Sequence, residues 1–116
     1  MSDSFVIRPD SRVRPEARTR TILVTGAAGR IGSYFAENSH QKHDLTLMVR
    51  REEQAGSIES FGKVVQAELE DLDRLKQLAS GQDTILHLAA QASPAEAWEP
   101  LLRSNIVGTY NVLVAA

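Results

Sequence analysis

The chain has 116 residues and a mass of 12.7 kDa, room for one domain, and its 42% hydrophobic content is enough to collapse around a core. It has no cysteine, which excludes a disulfide scaffold, a thiolate zinc site, an iron-sulfur cluster and a cysteine nucleophile. The formal charge of -2 is unevenly spread: Arg8, Arg12, Arg14, Arg18 and Arg20 outnumber Asp3, Asp10 and Glu16 in the first twenty positions, and the remainder is acidic.

This basic arm, interrupted by Pro9 and Pro15, reads as a flexible N-terminal tail over residues 1–20. Phe5 is its one aromatic residue and no folded motif lies beside it, so no nucleic-acid partner is expected. Phe5-Val6-Ile7 is too short for a signal-peptide core, and the three acids disfavour an organellar leader. Apolar runs of about five residues are far below the roughly 20 that span a bilayer, so no membrane partner is expected and the cytoplasm is the expected location.

The folded part is expected over residues 21–116. Thr21-Ile22-Leu23-Val24 is a short β-branched apolar run that suits a strand covered on both faces. Glycines follow at 26, 29 and 32, and then a helix over about 30 to 39, with Ile31, Tyr34 and Phe35 predicted on its apolar side. Leu45 to Val49 reads as a second strand and Lys63 to Gln66 as a third. Between them Arg51 to Ser60 reads as a short helix or irregular crossover broken by Gly56.

Leu72, Leu75 and Ala79 line one face of a helix over about 71 to 80, with Asp71 and Asp73 at its positive end and Gly81 just beyond it. Thr84 to Leu88 is the fourth strand. Ser93-Pro94-Ala95-Glu96 has the pattern of a capping box, and Pro100 predicts a helix start. From there Leu102, Ile106, Thr109 and Leu113 recur at helical spacing. Strands alternating with helices predict an α/β fold, a doubly wound parallel sheet with right-handed crossovers.

The segment Val24-Thr25-Gly26-Ala27-Ala28-Gly29-Arg30-Ile31-Gly32 joins the first strand to the first helix. Gly26 would turn the chain sharply, Gly29 would keep a side chain away from an anion approaching the helix start, and Gly32 would allow close packing on the sheet. The spacing is G-x-x-G-x-x-G, with no Gly-Lys-Ser/Thr ending for a nucleoside-triphosphate loop. A structural turn accounts for it equally well in isolation; its place after the first strand favours a phosphate or dinucleotide site.

With this loop, His87-Leu88-Ala89-Ala90 after the fourth strand, and Asn105-Ile106-Val107-Gly108-Thr109-Tyr110-Asn111-Val112-Leu113 on the last helix, the chain resembles the NAD-dependent epimerase/dehydratase family, the extended short-chain dehydrogenases. Three motifs in order cover residues 21–116. Sugar-nucleotide epimerases, dehydratases and reductases and the uronate dehydrogenases are all similar.

The resemblance implies a Rossmann-like domain with a dinucleotide across the carboxyl ends of the strands. Its pyrophosphate would lie on Gly26, Ala28, Gly29, Arg30, Ile31 and Gly32. An acid after the second strand would signal NAD, but Arg50 and Arg51 stand there, and guanidinium groups offer paired donors to a 2'-phosphate. NADP is therefore expected slightly ahead of NAD, with Glu52 and Glu53 close enough to keep NAD open. Solvated strand-end charges are the plainer reading of both arginines. The resemblance further implies Glu68, where the family commonly has Asp, near the adenine amino group, Leu69 in the adenine wall, Ala89 and Ala90 beside the nicotinamide ribose, and Asn105 organising nearby backbone.

His87 shares its alternation with Ile85 and reads as a hydrogen-bonded core residue that braces backbone. His40 and His43 lack a third ligand at zinc-site spacing. The resemblance also implies a Tyr-x-x-x-Lys pair, whose ammonium lowers the tyrosine pKa from one helical turn away. Tyr34 is followed by Asn38 and Tyr110 by Val114, so no catalytic residue is assigned in this chain.

The expectation is the N-terminal, cofactor-binding part of a longer enzyme. That parent would transfer hydride to or from a sugar nucleotide or similar sugar-like alcohol, the small substrate binding only in the parent. A non-catalytic dinucleotide-binding or interaction module is the alternative. A metal-dependent receiver domain would need acids at the end of the first strand, where Thr25-Gly26 stands. Self-association through an exposed edge of the fourth strand is also expected.

Overall fold

The computed structural model describes residues 19–89 and 98–116. Four strands, β1 (Thr21–Thr25), β2 (Asp44–Val49), β3 (Lys63–Gln66) and β4 (Thr84–His87), form one parallel sheet in the order β3-β2-β1-β4. The register runs from Thr21 opposite Asp44 to Thr25 opposite Met48, and Thr25 also stands opposite His87. Carboxyl ends of the inner strands thus lie level, with the glycine turn issuing between β2 and β4. Helix α1 (Arg30–Ser39) follows β1, α2 (Leu72–Ala79) follows β3, and α3 (Trp98–Leu101), a wider-wound helical segment Leu102–Val107 and α4 (Gly108–Ala115) follow β4.

Alternation along the strands divides the core in two. Ile22, Val24, Leu45, Leu47 and Val49 pack with Ala27, Ala36 and Ile58 on the α1 face. Leu23, Met48 and Val65 pack with Ala67, Leu69, Leu75 and Val112 on the face covered by α2 and α4. The result is the doubly wound arrangement, buried on both sides, that the unbroken apolar strands require. Asp71 caps α2 by accepting from the Arg74 N–H at 3.1 Å. At the amino end of β1 the Thr21 N–H donates to the Asp83 carboxylate at 2.9 Å, tying β1 to the start of β4.

Three expectations are corrected. On α1 the buried positions are Gly32 and Ala36, with Phe35 half-buried, whereas Ile31 and Tyr34 are each 70% exposed. Small residues let this helix approach the glycine turn: a Cβ at Gly32 would lie 2.4 Å from the Gly26 carbonyl oxygen. On the last helix Gly108, Asn111 and Val112 are buried, while Ile106 and Leu113 are exposed. The wider winding over Leu102–Val107 shifts the register that constant helical spacing assumes. Gly56 does not break the β2–β3 crossover; it lies within a 3-10 helix, Glu52–Ser57. Residues 1–18, including most of the basic arm, and the Ser93–Glu96 capping pattern lie outside the described residues.

Candidate functional site

The end of β1 opens into a turn whose geometry only glycine suits. Gly26 adopts φ +67°, and a Cβ there would sit 2.7 Å from the Ala89 nitrogen, so the β1 turn and the segment leaving β4 are in backbone contact. The Gly29 N–H closes the turn by donating to the Gly26 carbonyl at 3.1 Å. Gly29 is extended and precedes α1 without a side-chain cap. The first-turn N–H groups of Arg30, Ile31 and Gly32 are therefore left as donors, at the end of the helix where its dipole favours an anion.

Beside the turn lies a cavity of about 230 Å³. It is lined by Gly26 to Gly29 of the turn, by Met48 and Val49 at the end of β2 and Arg50 and Gln54 after it, by Ala67 and Leu69 after β3, and by Leu88 and Ala89 after β4. The Ala27 N–H donates to the Met48 carbonyl at 3.2 Å and the Ala67 N–H to the Val49 carbonyl at 3.0 Å, which extends the sheet pairing to the cavity rim. The cavity opens at the carboxyl ends of the strands, where doubly wound sheets place ligands. A glycine floor, a helix start without a side-chain cap and an apolar wall suit a molecule with a phosphate group and a flat apolar ring, as a dinucleotide has. A second hollow, about 490 Å³ and lined by His40, His43 and Gln82 among others, lies at the opposite ends of the strands.

Of the residues singled out from the sequence, Gly26, Ala28, Gly29, Arg50, Leu69 and Ala89 converge on the cavity. Arg30 and Ile31 stand on the first turn of α1 with exposed side chains, and Gly32 is buried behind the turn, against Gly26 and Ala27. Glu68 lies at the rim, its carboxylate 3.9 Å from Arg50 Nε, both side chains about half exposed (49% and 58%). Such a pair contributes little in water. Arg51 is exposed and does not line the cavity; its N–H donates to the Gln54 side chain at 2.9 Å. Asn105 lies in the wider-wound helical segment, where its carbonyl accepts from Thr109 Oγ1 at 2.9 Å. Ala90 is outside the described residues.

Sequence reasoning missed Ala27, Met48, Val49, Gln54, Ala67 and Leu88. Met48 and Val49 carried a signal, since they end a strand beside the turn; Gln54 carried none, because only the folding back of the 3-10 helix brings it to the rim. Asn111, part of the last-helix motif, had been given no role: buried on α4, it donates from Nδ2 to the Leu69 carbonyl at 2.9 Å and so pins the cavity wall to the last helix.

His87 is held from two sides. Its Nδ1 lies 2.6 Å from Thr25 Oγ1 and its Nε2 3.4 Å from Thr109 Oγ1. Thr25 Oγ1 in turn accepts from the Leu88 and Ala89 N–H groups at 3.0 and 3.2 Å. Burial of the imidazole pushes its pKa below the ordinary value of 6.5.

The model of the NAD dependent epimerase/dehydratase family matches residues 22–116. An L-arabinose 1-dehydrogenase (NAD(P)(+)) of Haloferax volcanii is 39% identical over 95 residues, covering 82% of this chain and 35% of that enzyme. A dTDP-glucose 4,6-dehydratase of Mycobacterium tuberculosis is 30% identical over 105 residues, covering 81% and 32%. A crystal structure of a uronate dehydrogenase mutant from Agrobacterium tumefaciens, complexed with NAD, superposes with a TM-score of 0.68 at 31% identity, over 85% of this chain and 37% of that one. The chain thus spans about a third of the length of these relatives. With its glycine turn, parallel sheet order and matched span, the chain belongs to the NAD dependent epimerase/dehydratase family.

Proposed function

We propose that the chain is the cofactor-binding portion of an NAD(P)-dependent enzyme that oxidises, reduces, dehydrates or epimerises a sugar or sugar nucleotide. The observation that carries this reading is the cavity between the Gly26 turn and the ends of β2, β3 and β4. When bound, the nicotinamide ring supplies hydride chemistry. The N–H groups of Arg30, Ile31 and Gly32 receive the pyrophosphate, with Gly29 keeping the approach clear. Met48, Ala67 and Leu69 provide the apolar adenine wall, Glu68 lies toward its amino group, and Ala89 and Ala90 leave room for the nicotinamide ribose. Asn105 organises the helical backbone. The alcohol's proton requires a Tyr-x-x-x-Lys pair, which belongs to the parent beyond this sequence. The sugars in the relatives' names support the substrate class.

NADP is favoured modestly over NAD. Arg50 lines the cavity, its contact with Glu68 is long and half exposed, and no carboxylate occupies positions 49 to 51. A charge-assisted contact of about 1.5 to 3 kcal/mol corresponds to about tenfold discrimination or more before desolvation is subtracted. The test is calorimetry of both cofactors at one salt concentration, on the unsubstituted chain and on Gly29→Trp. Binding lost in the variant while its circular dichroism is unchanged supports the site; equal affinity rejects it. Tighter binding of NAD than NADP rejects the preference alone.

A further inference from the structure

The hydrogen-bond pattern around His87 determines where its proton sits. Thr25 Oγ1 receives two backbone N–H groups, from Leu88 and Ala89, which occupy both acceptor positions of a hydroxyl. Its single hydrogen is left for the third neighbour, His87 Nδ1, at 2.6 Å. Nδ1 is therefore an acceptor, and the neutral ring carries its proton on Nε2. That N–H points to Thr109 Oγ1 at 3.4 Å, and the Thr109 hydroxyl passes its own hydrogen to the Asn105 carbonyl at 2.9 Å. The Leu88 N–H is shared with the Thr25 carbonyl at 3.2 Å, but the Ala89 N–H has no second acceptor, and reversing the imidazole would leave the Thr25 hydroxyl hydrogen without one.

Two parts of the molecule meet through this series. At one end are Leu88 and Ala89, which line the cavity and touch the Gly26 turn. At the other is the wider-wound segment holding Asn105, a helical geometry frequent at functional sites. We propose that His87 is a positioning residue of the dinucleotide cleft: as the Nε2–H imidazole it fixes the Leu88–Ala89 backbone through Thr25 and couples that wall to the helix of Asn105 through Thr109. The inference rests on the reading of the cavity as the dinucleotide site and extends it to a residue that does not line the cavity.

Protonation breaks the series, because an imidazolium has no acceptor at Nδ1 for the Thr25 hydroxyl. Neither β1 nor α4 sends an ionisable group to the ring. β1 contains none, and Tyr110, the one ionisable residue of α4, is 64% exposed. The Leu102–Val107 segment holds Arg103, whose side chain lies outside the described residues. The wall is thus expected to loosen as pH falls through the lowered pKa of His87.

Nitrogen-15 NMR of the protein should show Nδ1 bare and Nε2 protonated, with slow exchange of the Leu88 and Ala89 amides. His87→Phe keeps the ring volume but leaves the Thr25 hydroxyl without its acceptor, and should weaken NADP binding on the order of tenfold. His87→Asn places an amide oxygen near the Nδ1 position; it should restore most of that affinity and remove the loss of affinity expected of the wild type on acidification. Should His87→Phe fail to fold, Thr109→Val should still shift the imidazole toward the Nδ1–H form and speed exchange at Ala89. An Nδ1–H signature in the wild type, or unchanged NADP affinity in folded His87→Phe, overturns the positioning role alone. Absence of dinucleotide binding by the wild type overturns the cavity reading and the proposal with it.

Discussion

At the scale of single residues, glycines 26 and 81 separate two costs that are usually mixed. Both have positive φ, +67° and +80°, but a Cβ at Gly26 meets the Ala89 backbone at 2.7 Å whereas one at Gly81 meets nothing within 4 Å. Gly81→Ala should therefore lose about 1 to 2 kcal/mol, the left-handed conformational penalty, and Gly26→Ala that amount plus the cost of displacing backbone. Denaturant midpoints at constant m-value measure the difference; equal losses would mean the turn and the β4 exit are not in contact. Asn111→Leu removes the donor to the Leu69 carbonyl and should cost about 1 to 3 kcal/mol while weakening dinucleotide binding. His87 adds a pH dependence of defined sign. Its folded pKa is below its unfolded value, so the unfolded chain binds more protons in the window between them. Its contribution is complete above the ordinary value of 6.5 and is lost as pH falls through the lower folded value. Unfolding free energies at several pH values should show this slope in the wild type and lack it in His87→Asn.

At the scale of elements, the helices owe their positions to few side chains. Leu75 of α2 is 1% exposed in the core shared with Leu23 and Val112, whereas Leu113 of α4 is 71% exposed. Leu75→Ala should cost about 2 to 5 kcal/mol, and Leu113→Ala close to nothing; thermal melts of the two variants decide it. A comparable loss in both would mean that the last helix packs through the face of Ile106 and Leu113, as periodicity alone suggests. The start of α2 was legible from sequence, because Asp71 and Asp73 before an amphipathic run suit the positive end of a helix whatever its tertiary context; the bond by which Asp71 caps it came from the structure. The faces of α1 and α4 were not legible from sequence. α4 carries no charged residue and its Asn111 is itself buried, so no polar side marks its orientation, and on α1 the bulky Ile31 and Tyr34 outweighed Gly32 and Ala36, whose smallness is what permits the close approach.

At the scale of the whole molecule, β4 pairs with β1 on one side, and no strand pairs with its other side among the described residues. Ile85 and Leu86 are only half-buried there, and Ile106, Tyr110 and Leu113 add exposed apolar area on the last helix. We expect the isolated chain to associate as its concentration rises. Sedimentation velocity over a concentration series tests this, and Thr84→Lys, which sets a charge on the exposed edge, should reduce association. A monomer at all concentrations, with slow amide exchange throughout 84–88, would contradict it. Among the described residues no helix is long and apolar enough to cross a membrane.

The order of strands and helices, the turn at Gly26 and the family were determined by the sequence alone, because each rests on residues adjacent in the chain: an apolar β-branched run, three glycines at fixed spacing, acids at the start of an amphipathic stretch. Tertiary structure decided what distant residues do together. Thr25 and His87 are 62 positions apart and meet only because β1 and β4 are neighbours in parallel register. Asn111 reaches Leu69 across 42 positions, and Gln54 comes to the cavity because the crossover folds back. Local preference is written along the chain. A hydrogen bond between separate elements depends on sheet order, register and helix rotation, which are settled by burying both faces of the sheet at once.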